Sequence, residues 1–209
     1  MDFQFKDILL YAVPILLAIT LHEAAHAYAA LRLGDKTAWM LGRVSMNPIK
    51  HIDPIGTILL PILCLIAGGF LFGWAKPVPV NANNLRNPKR DMFWVSLAGP
   101  GINIIMAVFW GLVLKYLAPD MGDLAQPMHQ MAWMGLSINA MLAALNLLPI
   151  PPLDGGRMLI SLLPRPWDQM LEKVVPYGMF IVIGLILTKT LNIALAPMLY
   201  VIDLILSVL

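Results

Sequence analysis

Charge is scarce in this chain. Only 12% of its 209 residues are Asp, Glu, Lys or Arg, about half of the roughly 25% found in soluble domains. So few ionic side chains cannot cover a globular surface when 59% of the residues are hydrophobic and the mean hydropathy is +0.77. The chain reads as an integral membrane protein. The net charge of +2 leaves no broad basic surface, so nucleic acid is not an expected partner. Cysteine is nearly absent. Cys64 stands alone in an apolar run, which excludes an intrachain disulfide and makes it apolar filler. No cleavable signal peptide is expected: the first apolar run is too long for one and lacks a basic flank. Helix-breaking residues are plentiful, with 17 prolines and 15 glycines. They predict broken helices and re-entrant turns, which membranes tolerate where protein covers the freed backbone.

A spanning helix needs about 20 apolar residues. Such runs lie at 8–33, 54–74, 92–118 and 128–150. The apolar tail, 174–209, is broken near Thr188-Lys189-Thr190-Leu191-Asn192 and reads as two short helices. The expected fold is therefore all-α, a polytopic bundle of about five to six membrane segments in a single domain over 1–209. Its core helices are expected at 8–33, 92–118 and 128–150, and its C-terminal helices within 174–209. There is no internal repeat and no low-complexity tract.

Loop charges constrain the topology. Arg32, Lys36, Arg43 and Lys50 follow the first run, and Lys76, Arg86, Lys89 and Arg90 follow the second. The third loop has Asp120 and Asp123 and no basic residue, while Arg157, Arg165 and Lys173 follow the fourth run. Basic short loops face the cytoplasm. Simple alternation cannot place both basic flanks of the second run on one side. A re-entrant or extended β-like segment is therefore expected near 54–81, with the N-terminus outside. Pro77 and Pro79 forbid helix there and suit an edge strand.

The first run carries His22-Glu23-Ala24-Ala25-His26. Ionisable side chains at membrane depth are costly and mark function. Residues i and i+4 share a helix face, so both imidazoles can address one atom, with a carboxylate beside the first. Catalytic zinc usually takes three protein ligands and a water. Asp154 is the candidate third ligand. Prolines end the fourth run just before it, and Gly155-Gly156 free the backbone to aim its carboxylate inward. His22, Glu23 and His26 lie near the C-terminal end of the first helix and Asp154 near that of the fourth, so the loop charges put both half-sites at one cytoplasmic level.

With these motifs the chain resembles the site-2 protease family of intramembrane zinc metalloproteases. The resemblance rests on His22-Glu23-x-x-His26, Leu97-Ala98-Gly99-Pro100, and Asn146 to Gly156 with its Leu153-Asp154-Gly155. Asn47-Pro48-x-x-His51-x-Asp53-Pro54 and Gly73-Trp74-Ala75-Lys76-Pro77-Val78-Pro79 look like a compact bacterial or archaeal branch. The resemblance implies one zinc per chain on His22, His26 and Asp154, with Glu23 as general base. It implies cleavage of transmembrane segments of single-span partner proteins, as in regulated intramembrane proteolysis. It also implies that Asn146 binds substrate or the tetrahedral intermediate. The expected location is the cell membrane of a bacterium or archaeon, with the site towards the cytoplasm. A substrate unwound from its helix could pair with an extended edge at Val78 and Val80. Many members begin with a further helix, and only residues 1–7 precede the first run here. PDZ and CBS domains find no room in 209 residues, so substrate filtering by such a domain is not expected.

Other polar residues have simpler readings. Asn103 reads as a packing residue in the third run. His51 and Asp53 shape the loop before Pro54, and His129 is solvated beside the acidic loop. A zinc transporter would need ligands strung along a path to both sides, whereas these gather at one level. An inactive scaffold would not need both motifs intact.

Overall fold

The computed structural model describes residues 5–59 and 76–207, and among these the chain is all-helical, with no strand. The first helix, α1 (Phe5–Leu33), contains Pro14 in its interior. Its 29 residues reach about 44 Å at 1.5 Å per residue. Gly34 ends it at φ 117, a conformation strained for any L side chain. A short α2 (Thr37–Met40) follows, then helical turns at Pro48–His51 and Pro54–Leu59. Residues 76–81 are irregular chain leading to a turn at Ala82–Asn84. The long helices resume with α3 (Pro88–Leu112) and α4 (Ala125–Asn146). The remainder is α5 (Asp154–Leu162), α6 (Trp167–Glu172), α7 (Gly178–Leu187) and α8 (Leu191–Ser207).

Among the described residues, three stretches are long and apolar enough to cross a membrane: Leu10–Leu33, Pro88–Asp120 and Trp167–Leu187. The fourth run is helical, as expected. It forms α4, but Gln126, His129, Gln130, Asn139 and Asn146 lower its hydropathy, and it is not among the three. The tail breaks between α7 and α8, where Lys189 adopts φ 58. The second run, with the β-like segment expected near 54–81, lies largely in 60–75, outside the described residues. Its described flanks are a helical turn at Pro54–Leu59 and the irregular 76–81.

Small residues let α1, α3 and α4 pack closely. Ala18, Ala27 and Ala30 on α1, Ala107 on α3, and Ala132, Ala143 and Ala144 on α4 are fully buried. The chain reverses between α1 and α3, and Arg86 N–H donates to Leu33 O at 3.1 Å. Lys89 Nζ reaches Leu163 O and pairs with Asp168 Oδ2 at 2.8 Å, tying the start of α3 to the chain after α5. The segments bearing Lys36, Arg86, Lys89 and Arg165 thus meet at one end of the bundle, and Asp120 and Asp123 lie beyond the far end of α3.

Candidate metal centre

One face of α1 meets one face of α3 in antiparallel register. Ala18, His22 and His26 are spaced by four on α1, as are Val95, Gly99 and Asn103 on α3. His26 Nδ1 donates to Val95 O at 2.7 Å, and His22 Nδ1 donates to Asn103 Oδ1 at 2.6 Å. Asn103 Nδ2 donates to Ala18 O at 3.2 Å and to Asn139 Oδ1 at 2.9 Å, and Asn139 Nδ2 donates to Gly135 O at 2.7 Å. The amide orientation is thereby fixed, because Asn103 keeps its oxygen for the histidine. Asn103 and Asn139 are fully buried. The packing role expected of Asn103 is incomplete: it also orients an imidazole.

Gly99 sits between the two holders. A Cβ there would lie 2.4 Å from His26 Nε2 and 2.7 Å from His22 Cε1. Only glycine leaves both rings their positions.

With each Nδ1–H committed, both Nε2 atoms present bare lone pairs. They lie 3.0 Å apart. Asp154 Oδ2 is 3.2 Å from each, buried, and without a hydrogen-bond donor. Three acceptors converging with no proton among them call for a cation. Donors on a tetrahedral zinc with bonds of about 2.0–2.1 Å stand roughly 3.3 Å apart. The observed separations of 3.0, 3.2 and 3.2 Å fit. His22, His26 and Asp154 are the group of His, Cys, Asp and Glu side chains close enough to hold a metal among the described residues.

Asp154 is the first residue of α5. Its approach differs from the sequence expectation. Gly155 and Gly156 are helical and not at positive φ, so backbone freedom is not their use. A Cβ on Gly155 would meet Leu147 O at 2.4 Å, and one on Gly156 would meet Pro151 N at 2.2 Å. Their absent side chains let the turn after α4 fold onto the start of α5.

A cavity of about 310 Å³ opens beside the three ligand atoms, lined among others by Glu23, Val78, Val80, Asn146, Asp154 and Arg157. Glu23 Oε2 accepts from Val78 N–H at 2.7 Å. Asn146 Nδ2 donates to Leu142 O at 3.0 Å, which leaves its second hydrogen. The expected candidates thus all border one space. His51 and Asp53 lie elsewhere: His51 Nε2 donates to Ser45 O at 2.8 Å, and Asp53 Oδ1 accepts from Ile55 and Gly56 N–H.

The sequence pattern of peptidase family M50 matches residues 121–187. Over 191 residues the chain is 38% identical to YwhC of Bacillus subtilis, by name a candidate zinc metalloprotease, covering 90% of this chain and 84% of that one. The chain belongs to peptidase family M50, the site-2 protease family. Rip2 of Mycolicibacterium smegmatis, named in the same way, is 34% identical over 184 residues, covering 85% of this chain and 66% of that protein. Rip2 of Mycobacterium tuberculosis is 30% identical over 181 residues, with the same coverage. No solved structure matches the chain. As a family member the chain is a zinc metalloprotease, and membership in a membrane-embedded family accords with its three apolar helical stretches.

Proposed function

We propose that this protein is an intramembrane endopeptidase that binds one zinc per chain through His22, His26 and Asp154 and cuts transmembrane segments of single-span partner proteins. The observation that carries this reading is the convergence of three proton-free acceptors on α1 and α5, with Glu23 beside them. Held there, zinc supplies a Lewis acid and an acidified water.

The chain's own groups do the rest. Glu23 Oε2 is engaged by Val78 N–H, which leaves Oε1 to take a proton from water and deliver it to the leaving amine. Asn146 offers its remaining N–H to the developing oxyanion, a contact whose loss can cost ~3 kcal/mol. Substrate, once unwound, lies along 76–80, where Val78 and Val80 line the cavity. Because Val78 N–H is on Glu23, pairing with substrate falls to Val80 and to the carbonyls of the segment.

The site faces the cytoplasm of a bacterial or archaeal cell. Support comes from the gathering of basic residues at the site end of the bundle. The test is cleavage of a single-span protein by the purified enzyme in liposomes, with the cut mapped by mass spectrometry. A cut inside the apolar segment, stopped by a chelator and restored by zinc, is expected. Cuts confined to soluble flanks would refute the intramembrane reading.

A further inference from the structure

We propose that the backbone N–H of Val78 positions Glu23, and that Arg43 and Asp35 act through it as positioning residues by pinning both ends of the segment that carries it. The proposal rests on Glu23 being the general base.

Between Lys76 and Val80 the chain reads Pro77-Val78-Pro79, so Val78 has the one N–H of these three residues. That N–H goes to Glu23 Oε2 at 2.7 Å. The Val78 side chain fixes the direction. It is 7% exposed and packs on Ala27, one turn beyond Glu23, and on Ala38.

The segment is held at both ends. Lys76 N–H donates to His51 O at 2.9 Å, and Lys76 O accepts from Arg43 Nη2 at 2.7 Å. Five residues on, Asn81 N–H donates to Asp35 Oδ2 at 2.7 Å. Arg43 is 8% exposed and Asp35 0%. Buried ionic side chains are rare unless paired. Among the described residues neither has an ion-pair partner; Arg43 is aimed at the backbone of this segment, and Asp35 gives one oxygen to it and the other to Thr37 and Asn84. A neutral residue would fill either place at lower desolvation cost. What the two charges supply is a strong, directional grip on a stretch whose prolines prevent ordinary ladder bonding.

The consequence is catalytic. An untethered glutamate beside three metal ligands can swing onto the metal or away from it. A misplacement of about 1 Å can cost about 100-fold in rate. Val78 N–H holds one carboxylate oxygen and leaves the other to act.

The test replaces Val78 by α-hydroxyisovaleric acid, which keeps the side chain and exchanges the N–H for an ester oxygen. Cleavage of a single-span substrate in liposomes, zinc content and thermal melting are measured alongside Arg43→Met, Arg43→Lys and the ester variant combined with Arg43→Met. The expected result is a fall in kcat of roughly 10- to 100-fold, with KM within about twofold and zinc retained. Arg43→Met should lower kcat in the same way, Arg43→Lys should restore most of it, and the combination should be no worse than the poorer single variant. A rise in KM at unchanged kcat would assign the N–H to substrate and overturn the proposal. Unchanged kcat, full additivity, or loss of zinc from the ester variant would overturn it too. Glu23→Gln serves as the control. If that variant still cleaves, the general-base reading fails; if it is inactive while the ester variant is fully active, only the positioning proposal fails.

Discussion

His22 and His26 turn bare Nε2 lone pairs towards each other across 3.0 Å, because each Nδ1–H is donated, to Asn103 Oδ1 and Val95 O respectively. The tautomers are set by α3, and the metal-facing atoms are therefore acceptors before any metal arrives.

Metal content should follow the geometry. His26→Ala and Asp154→Ala are expected to lose zinc outright. Asn103→Leu removes the acceptor that orients His22 and should weaken zinc affinity roughly 10- to 100-fold, read by competition with a chromogenic chelator. Wild-type affinity in Asn103→Leu would show that the His22–Asn103 bond has no part in holding the ring.

Gly99→Ala tests the close approach of α3 to the histidines. A Cβ at 2.4 Å from His26 Nε2 must displace the ring or part the helices. Zinc binding should fall sharply while helical content by circular dichroism stays near wild type. Full zinc occupancy in this variant would mean that the rings have room the structure does not show.

Sidedness can be read with single cysteines in a Cys64→Ala background. Lys36, Asn83 and Asp123 are exposed, and the first two flank turns joined through the Asn84 contact with Thr37. An impermeant thiol reagent added to intact cells should label position 123 and spare 36 and 83. Labelling of 36 from outside would reverse the proposed orientation.

Asp35 ties the connection after α1 to that before α3. Burial pushes its carboxyl up, but bonds from Thr37 Oγ1, Asn81 N–H, Thr37 N–H and Asn84 Nδ2 outweigh it and hold the group below the ordinary carboxylate range. A depressed folded value means that the stabilisation is complete above the unfolded value of about 3.9 and fades as pH drops through the folded one. Asp35→Ala should lower stability at pH 7 by roughly 1.5–3 kcal/mol or more. Its deficit relative to wild type should shrink under acid, measured by melting between pH 7 and pH 3. A deficit that does not change with pH would mean that the charge is not what holds the segment.

The convergence of His22, His26 and Asp154 is legible because each breaks an apolar context: two imidazoles at helical spacing in one run, and a carboxylate at the end of another. Asn103 is equally conspicuous in the third run, yet its bond to His22 depends on the antiparallel register of α1 and α3, a tertiary relation that one helix cannot encode. Its spacing of four from Gly99 was the available signal. Sequence ties Gly155 and Gly156 to the placement of Asp154 through backbone freedom, whereas the structure uses them for space. The bond from Val78 N–H to Glu23, 55 residues earlier, is not legible, since nothing local reveals it. The sequence marks α4 as a helix, while its five Asn, Gln and His residues lower its hydropathy.

The most direct measurement compares Glu23→Gln with wild type, determining zinc per chain and cleavage of a single-span substrate on the same liposome samples. In the proposed division of roles Glu23 is a base and no ligand, so both the variant and the wild type should hold one zinc per chain, and the variant should cut nothing. A variant that cleaves at the wild-type rate, or one that loses its zinc, would contradict the division of roles between Glu23 and the trio of His22, His26 and Asp154.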